Sequence, residues 1–161
     1  MQPILPWHDF FAAAAGASAA LTGFVFVAVS INLGRILEFP QLPARVFEGL
    51  VTLLSVLVVA LFALIPGQPP WIHGIEFAGT GLVVWVANTA AIVRLRHVTP
   101  RHARPALRIL ANQLPPLPFV VAGILLILGN PFGMYWIVPG VMLAFWGGLV
   151  NAWVLLIEIK R

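Results

Sequence analysis

Four side chains at the edges of the apolar segments have the types that chemistry uses: His8, Asp9, His73 and Glu76. Two imidazoles and two carboxyl groups are competent zinc or iron ligands, or an acid and a base for proton transfer. His73 and Glu76 are three residues apart, so a helix carries both on one side. They match no spacing of an established ligand motif, and four such side chains also sit well among lipid headgroups, so the plainer reading is that no metal is bound. Cysteine is absent, which removes disulfides and thiolate chemistry. A phosphate-binding glycine loop, an H-E-x-x-H helix and a G-x-S-x-G elbow are absent too. These absences argue against an enzyme, and no cofactor is expected.

A second polar set lies inside the apolar runs. Ser30, Asn32, Thr52, Ser55, Asn88, Thr89 and Asn151 fall in one half of them, whereas the other half offers mainly Ser18, Thr22 and Thr80. Glu48 shares a helical face with Thr52 and Ser55, and Glu158 lies near the same boundary, where either carboxyl group could pair with Arg35, Arg45 or Arg94. Such a set lines a polar vestibule open to the cytoplasm, or it joins helices by hydrogen bonds at about 0.6 kcal/mol each. The second is the simpler. No carboxyl group falls at mid-membrane, which counts against a proton pump or a voltage sensor.

The elements that must position these residues are legible from hydropathy. The 161-residue chain is 61% hydrophobic and 9% charged, with a mean hydropathy of +1.00. Soluble domains are roughly half apolar and a quarter charged, so this is an integral membrane protein forming one domain. A bilayer core needs about 20 helical residues, and five candidates follow: 10–33, 46–65, 72–93, 114–129 and 136–159. The fourth is short and opens on Leu114-Pro115-Pro116-Leu117-Pro118, acceptable only as a helix start. The segment ahead of the first span has no Lys or Arg, so that span reads as retained rather than as a cleaved signal.

With five crossings and the N-terminus outside, every Lys and Arg falls on the inner side: Arg35, Arg45, Arg94, Arg96, Arg101, Arg104, Arg108, Lys160 and Arg161. Trp7, Trp71, Tyr135 and Trp136 then mark the outer boundary. The pI near 11.2 thus points to anionic lipid headgroups at the inner face and not to nucleic acid. The inner loop 94–113 reads either as a short surface helix or as a plain basic connector.

Small residues recur along three spans. Ala12, Gly16, Ala19, Gly23 and Ser30 follow steps of four, three, four and seven, and Gly140, Ala144, Gly147, Asn151 and Glu158 repeat them. At about 100° per residue each series forms one narrow seam, and in lipid such seams let helices approach closely. The first and last spans are therefore expected to pack in parallel. Gly74, Ala78 and Gly81 form a third seam leading to Asn88, which is expected to face a neighbouring chain.

Trp7-His8-Asp9-Phe10-Phe11, Ala19-Ala20-Leu21-Thr22-Gly23 and the run Phe26 to Leu33 together resemble the opening of a group of small bacterial multi-pass inner-membrane proteins without established activity. Some of these carry the label of modulator of a membrane-anchored ATP-dependent protease. The resemblance implies a bacterial plasma (inner) membrane protein and brings no catalytic residue. The expected architecture is an all-α bundle of five transmembrane helices, N-terminus outside and C-terminus inside. The expected function is that of a non-enzymatic structural or regulatory subunit, self-associating or packed in a larger membrane complex. The alternative is an oligomeric channel or carrier for a small solute or ion.

Overall fold

A computed structural model of the chain describes residues 7–39, 42–95, 110 and 112–159, the side chains of 95 and 154–159 excepted. The described elements are all helical: α1 (His8–Ile31), α2 (Leu33–Glu38), α3 (Leu42–Ala63), α4 (Pro70–Leu95), α5 (Pro116–Ile127) and α6 (Gly133–Ile159). Four of them, α1, α3, α4 and α6, are long and apolar enough to cross a membrane, and α5 is a shorter apolar helix. Each starts or stops within a few residues of the expected bounds, because proline and glycine punctuate the runs. Most of the inner loop, and the side chain of Glu158, lie outside the described residues.

Neighbouring helices run antiparallel, and the contact pairs fix their register. A methyl group placed on Gly74 would meet the Gly123 carbonyl and Ile127 at 2.8 Å, and one on Gly81 would meet Val120 at 2.8 Å and the Pro116 carbonyl at 2.9 Å. The α4 seam is thus filled by α5, backbone against backbone, and Gly123 faces Gly74 and Ala78 in return. Such an approach is available only where one of the two facing residues lacks a Cβ, and in lipid it is the van der Waals contact itself that stabilises the pair. The same logic seats α6: Gly140 lies against the Phe119 ring and Gly148 against Leu53.

The α5–α6 turn is locally determined. Gly129 has φ 74°, and its amide and that of Asn130 bond back to Leu126 and Leu125 at 3.0 and 2.9 Å. This is a glycine-terminated helix end in which two carbonyls of the last turn find donors. The Asn130 side-chain oxygen then accepts from the Phe132 amide at 3.0 Å, turning the chain into α6.

The core lies between α3, α5 and α6, with Val56, Val59, Ala60, Phe119, Ala122, Ile137, Val141 and Ala144 all buried. From α1 only Phe11, Ala14 and Ser18 are buried, and Ser18 ties the helix to α3 by donating to the Leu53 carbonyl at 2.5 Å. Two expectations are corrected here. The first and last spans do not pack through their seams: α1 lies chiefly against α3, and Ala12, Gly16, Ala19 and Gly23 are exposed. The α4 seam does not face outward, because α5 occupies it. The physical reason for both is that Phe11, Ala14 and Ser18 form a better apolar and hydrogen-bonding edge against α3 than the bare seam does, while α5 supplies the one glycine, Gly123, that the α4 seam can accept.

Candidate functional site

Towards the end of the bundle that holds the start of α3, four elements converge on one residue. Asn112, one turn before α5, is fully buried. Its amide nitrogen donates to the Glu48 carboxyl oxygen at 2.6 Å, and its amide oxygen accepts from Asn151 at 3.0 Å. Its backbone carbonyl accepts from the Asn88 amide at 2.8 Å. One side chain and its own peptide group therefore connect α3, α4 and α6 to the entry of α5.

Each partner is placed by the packing below it. The glycine seam of α4 meets α5 in a register that ends with Asn88 beside Asn112. Gly49, without a side chain, leaves room for Asn151, whose Cβ lies 3.3 Å from where a methyl group would project. Glu48, Thr52 and Ser55 share the buried face of α3. Thr52 donates to the Glu48 carbonyl at 2.8 Å and Ser55 to the Thr52 carbonyl at 2.6 Å, so both hydroxyls are satisfied within their own helix. Beside them Gln113 donates to the Thr89 hydroxyl at 3.0 Å.

Of the inner polar residues singled out from the sequence, the structure brings Thr52, Ser55, Asn88 and Asn151 to this end of the core, all of them buried. Ser30 and Asn32 stay apart: they bond to the Phe26 and Ala28 carbonyls of their own helix at 2.9 and 2.8 Å. The hub, Asn112, belongs to no apolar run and was not among the expected residues. The available signal was an Asn-Gln pair placed directly before Leu-Pro-Pro, one turn ahead of a helix start. The Asn88 amide oxygen is buried without a hydrogen-bond partner among the described residues.

The opposite end holds a second, sparser polar group. His73 is buried, packed on Phe77 with ring centroids 5.9 Å apart. Its Nδ1 lies 3.4 Å from a Glu76 carboxyl oxygen, and Gln68 donates to the other oxygen at 3.3 Å. These are long contacts, and His73 Nδ1, Glu76 Oε2 and Gln68 Oε1 have no hydrogen-bond partner of good geometry among the described residues. His8 and Asp9 do not join them. They are exposed and lie 3.4 Å from each other, on a first turn of α1 that turns them off the bundle while Phe11 points in. The four candidate side chains thus lie in two separate pairs, and no group of three or more His, Cys, Asp or Glu able to hold a metal ion occurs among the described residues.

The inner arrangement suits static cohesion. Its amides supply both donors and acceptors, they face one another, and Glu48 is enclosed with no exposed surface. Such a network specifies one arrangement of helices, because each wrong packing leaves a polar group unpaired in an apolar surrounding. No protein-family model, curated protein or solved structure matches this chain.

Proposed function

We propose that this chain is a small non-enzymatic membrane subunit, self-associating or held in a larger complex, which offers α1 as its docking helix. The observation that carries this reading is the contrast between seams. Those of α4 and α6 are filled from within, but Gly16 and Gly23 have nothing within 4 Å of where a side chain would start. Only 11% of the apolar window of α1 is buried, against 56% for α3. In lipid a glycine and alanine seam gains nothing over a leucine surface unless another helix fills it, so an open one is best explained by a partner.

The inward-turned amides support a subunit over a pore. A pore needs polar groups turned to a water-filled path or to an axis between copies, and Asn88 and Asn151 instead spend their donors on Asn112. We read α5 as a fifth crossing: with its preceding turn it pairs with α4 from Asn88 to Gly74, nearly the whole length of that span. Arg35, Arg45 and Arg94 then share one end with the network, while the edge-on pair Trp7 and Tyr135, 5.0 Å apart, marks the other. By the distribution of basic residues the network end is cytoplasmic, with the N-terminus outside, in a bacterial plasma membrane.

Mass measurement of the full chain in native nanodiscs tests the reading. An assembly larger than one chain, reduced to a monomer by Gly16→Leu with Gly23→Leu, is expected. A strictly monomeric protein in native lipid, with no co-purifying membrane protein, would leave the α1 seam without a role and overturn the subunit reading.

A further inference from the structure

Where α3 begins and α4 ends lies a cleft of about 500 Å³ whose lining includes Pro43, Phe47, Ala87, Ala90, Ala91 and Arg94. Ala87, Ala91 and Arg94 follow steps of four and three, so they form one stripe of α4, with Phe47 across from it on α3. The wall is apolar and made of methyl groups on one side and a ring on the other. The one charged group among the described lining residues is at its end. Arg94 is exposed and forms no ion pair with any described residue, and Glu48, on the neighbouring turn of α3, is buried and faces inward to Asn112.

An occupant must therefore match two chemistries at once. The cleft lies at the end of two apolar helices, at the edge of the expected spans, and a lipid at that depth offers it an acyl chain. The cation at its mouth is a planar guanidinium, which binds phosphate oxygens in pairs and whose aliphatic stem can lie along the apolar wall while its head stays at the interface. A zwitterionic lipid brings its own cation to compete for that phosphate, whereas an anionic one does not. Among the described residues no carboxyl group lines the cleft to repel it.

We propose that this cleft is a binding site for one anionic phospholipid, with an acyl chain against Phe47 and the alanine stripe and the phosphate on Arg94. The site rests on the reading that the chain spans a membrane with this end at an interface. It is independent of any docking through α1, whose seam lies on another helix.

The test is native mass spectrometry of the full chain released from detergent, titrated separately with phosphatidylglycerol and phosphatidylcholine of the same acyl composition. One phosphatidylglycerol should be retained in preference to phosphatidylcholine by about fivefold, the value of one basic side chain at an anionic surface. Arg94→Gln should abolish the preference while leaving some retention of both lipids, and Arg94→Lys should restore part of it. Ala90→Leu, at an exposed position that needs no refolding, should reduce retention of both. Glycerol phosphate without acyl chains should not compete. Equal retention of the two lipids by the unaltered chain, or an unchanged preference in Arg94→Gln, would overturn the proposal, as would full competition by glycerol phosphate. A chain that fails to partition into membranes at all would instead overturn the membrane reading beneath it.

Discussion

Each end of the bundle holds a carboxyl group, Glu48 fully buried at one and Glu76 partly buried at the other, and their contacts differ. Glu48 meets the short amide donor of Asn112, which is held in turn by Asn151 and carries Asn88 on its carbonyl. Glu76 meets only long contacts, from a histidine on its own helix and a glutamine in the preceding turn. The inner group draws on four elements, so no single helix can shift without breaking a bond to another. The outer group draws on one helix and its lead-in; unpartnered buried atoms occur at both ends among the described residues, His73 Nδ1, Glu76 Oε2 and Gln68 Oε1 here and Asn88 Oδ1 and Gln113 Oε1 beside Asn112, so the difference lies in the number of elements joined and the length of the contacts. Cohesion in this fold is therefore asymmetric: hydrogen bonds close the Asn112 end, and close glycine contact with ring packing closes the His73 end.

That asymmetry predicts a ranking of substitutions. The largest effect is expected where backbones touch. Gly123→Leu places a side chain into the Gly74 carbonyl and Ala78, and it should cost at least the upper part of the 1–3 kcal/mol typical of overpacking. Thermal melting in detergent reads this as a marked drop, whereas Gly23→Leu on the open seam should leave the melting of the detergent-solubilised monomer unchanged. A milder result at Gly123 than at Gly23 would reverse the assignment of filled and open seams.

Next comes the hub. Asn112→Leu leaves the Glu48 oxygen and the Asn151 amide buried without their partner, a loss of about 1–3 kcal/mol. Asn151→Ala removes one donor alone and should cost less, near the 0.6 kcal/mol average for interhelical hydrogen bonds in membranes, with about 1.7 as a ceiling. Combined with Asn112→Leu it should add little, since the shared contact is already gone. Strict additivity across this double-mutant cycle would mean that the two amides do not interact.

The smallest effect is expected at the outer end. Replacing His73 by Phe together with Glu76 by Gln keeps the ring packing on Phe77 and removes both partners of a weak contact, a change that is close to neutral when shape is preserved. A fall in melting as large as that of Asn112→Leu would show that the outer pair is held more tightly than its 3.4 Å separation indicates.

The sequence reading reached the elements and missed their pairing, for physical reasons. Length and hydropathy located each long helix within a few residues, and Pro115-Pro116 and Gly129 marked the ends of α5 because proline lacks an amide and glycine accepts a positive φ. Seams are visible in sequence, but which seam fills which is a three-dimensional matter. Gly123 is a lone glycine in a short run, and its fit against Gly74 and Ala78 decided the α4 contact. Asn112 is not marked by its sequence position, because the hub sits just outside an apolar run and is buried only by the helices that close over it. Asn88, Asn151 and Thr52 share a position along their apolar runs that is legible in the sequence, and Ser30 and Asn32 share it too but bond to carbonyls of their own helix, which only the fold reveals.

The claim that the open α1 seam is the docking face is tested most directly by cysteine cross-linking in intact membranes, because the chain carries no cysteine of its own. Single substitutions Gly16→Cys and Gly23→Cys should form disulfide-linked species under mild oxidation, either dimers or a larger adduct, whereas Ile75→Cys, exposed on α4 away from the filled seam, should not. Cross-linking through Ile75→Cys with none through α1 would contradict the account.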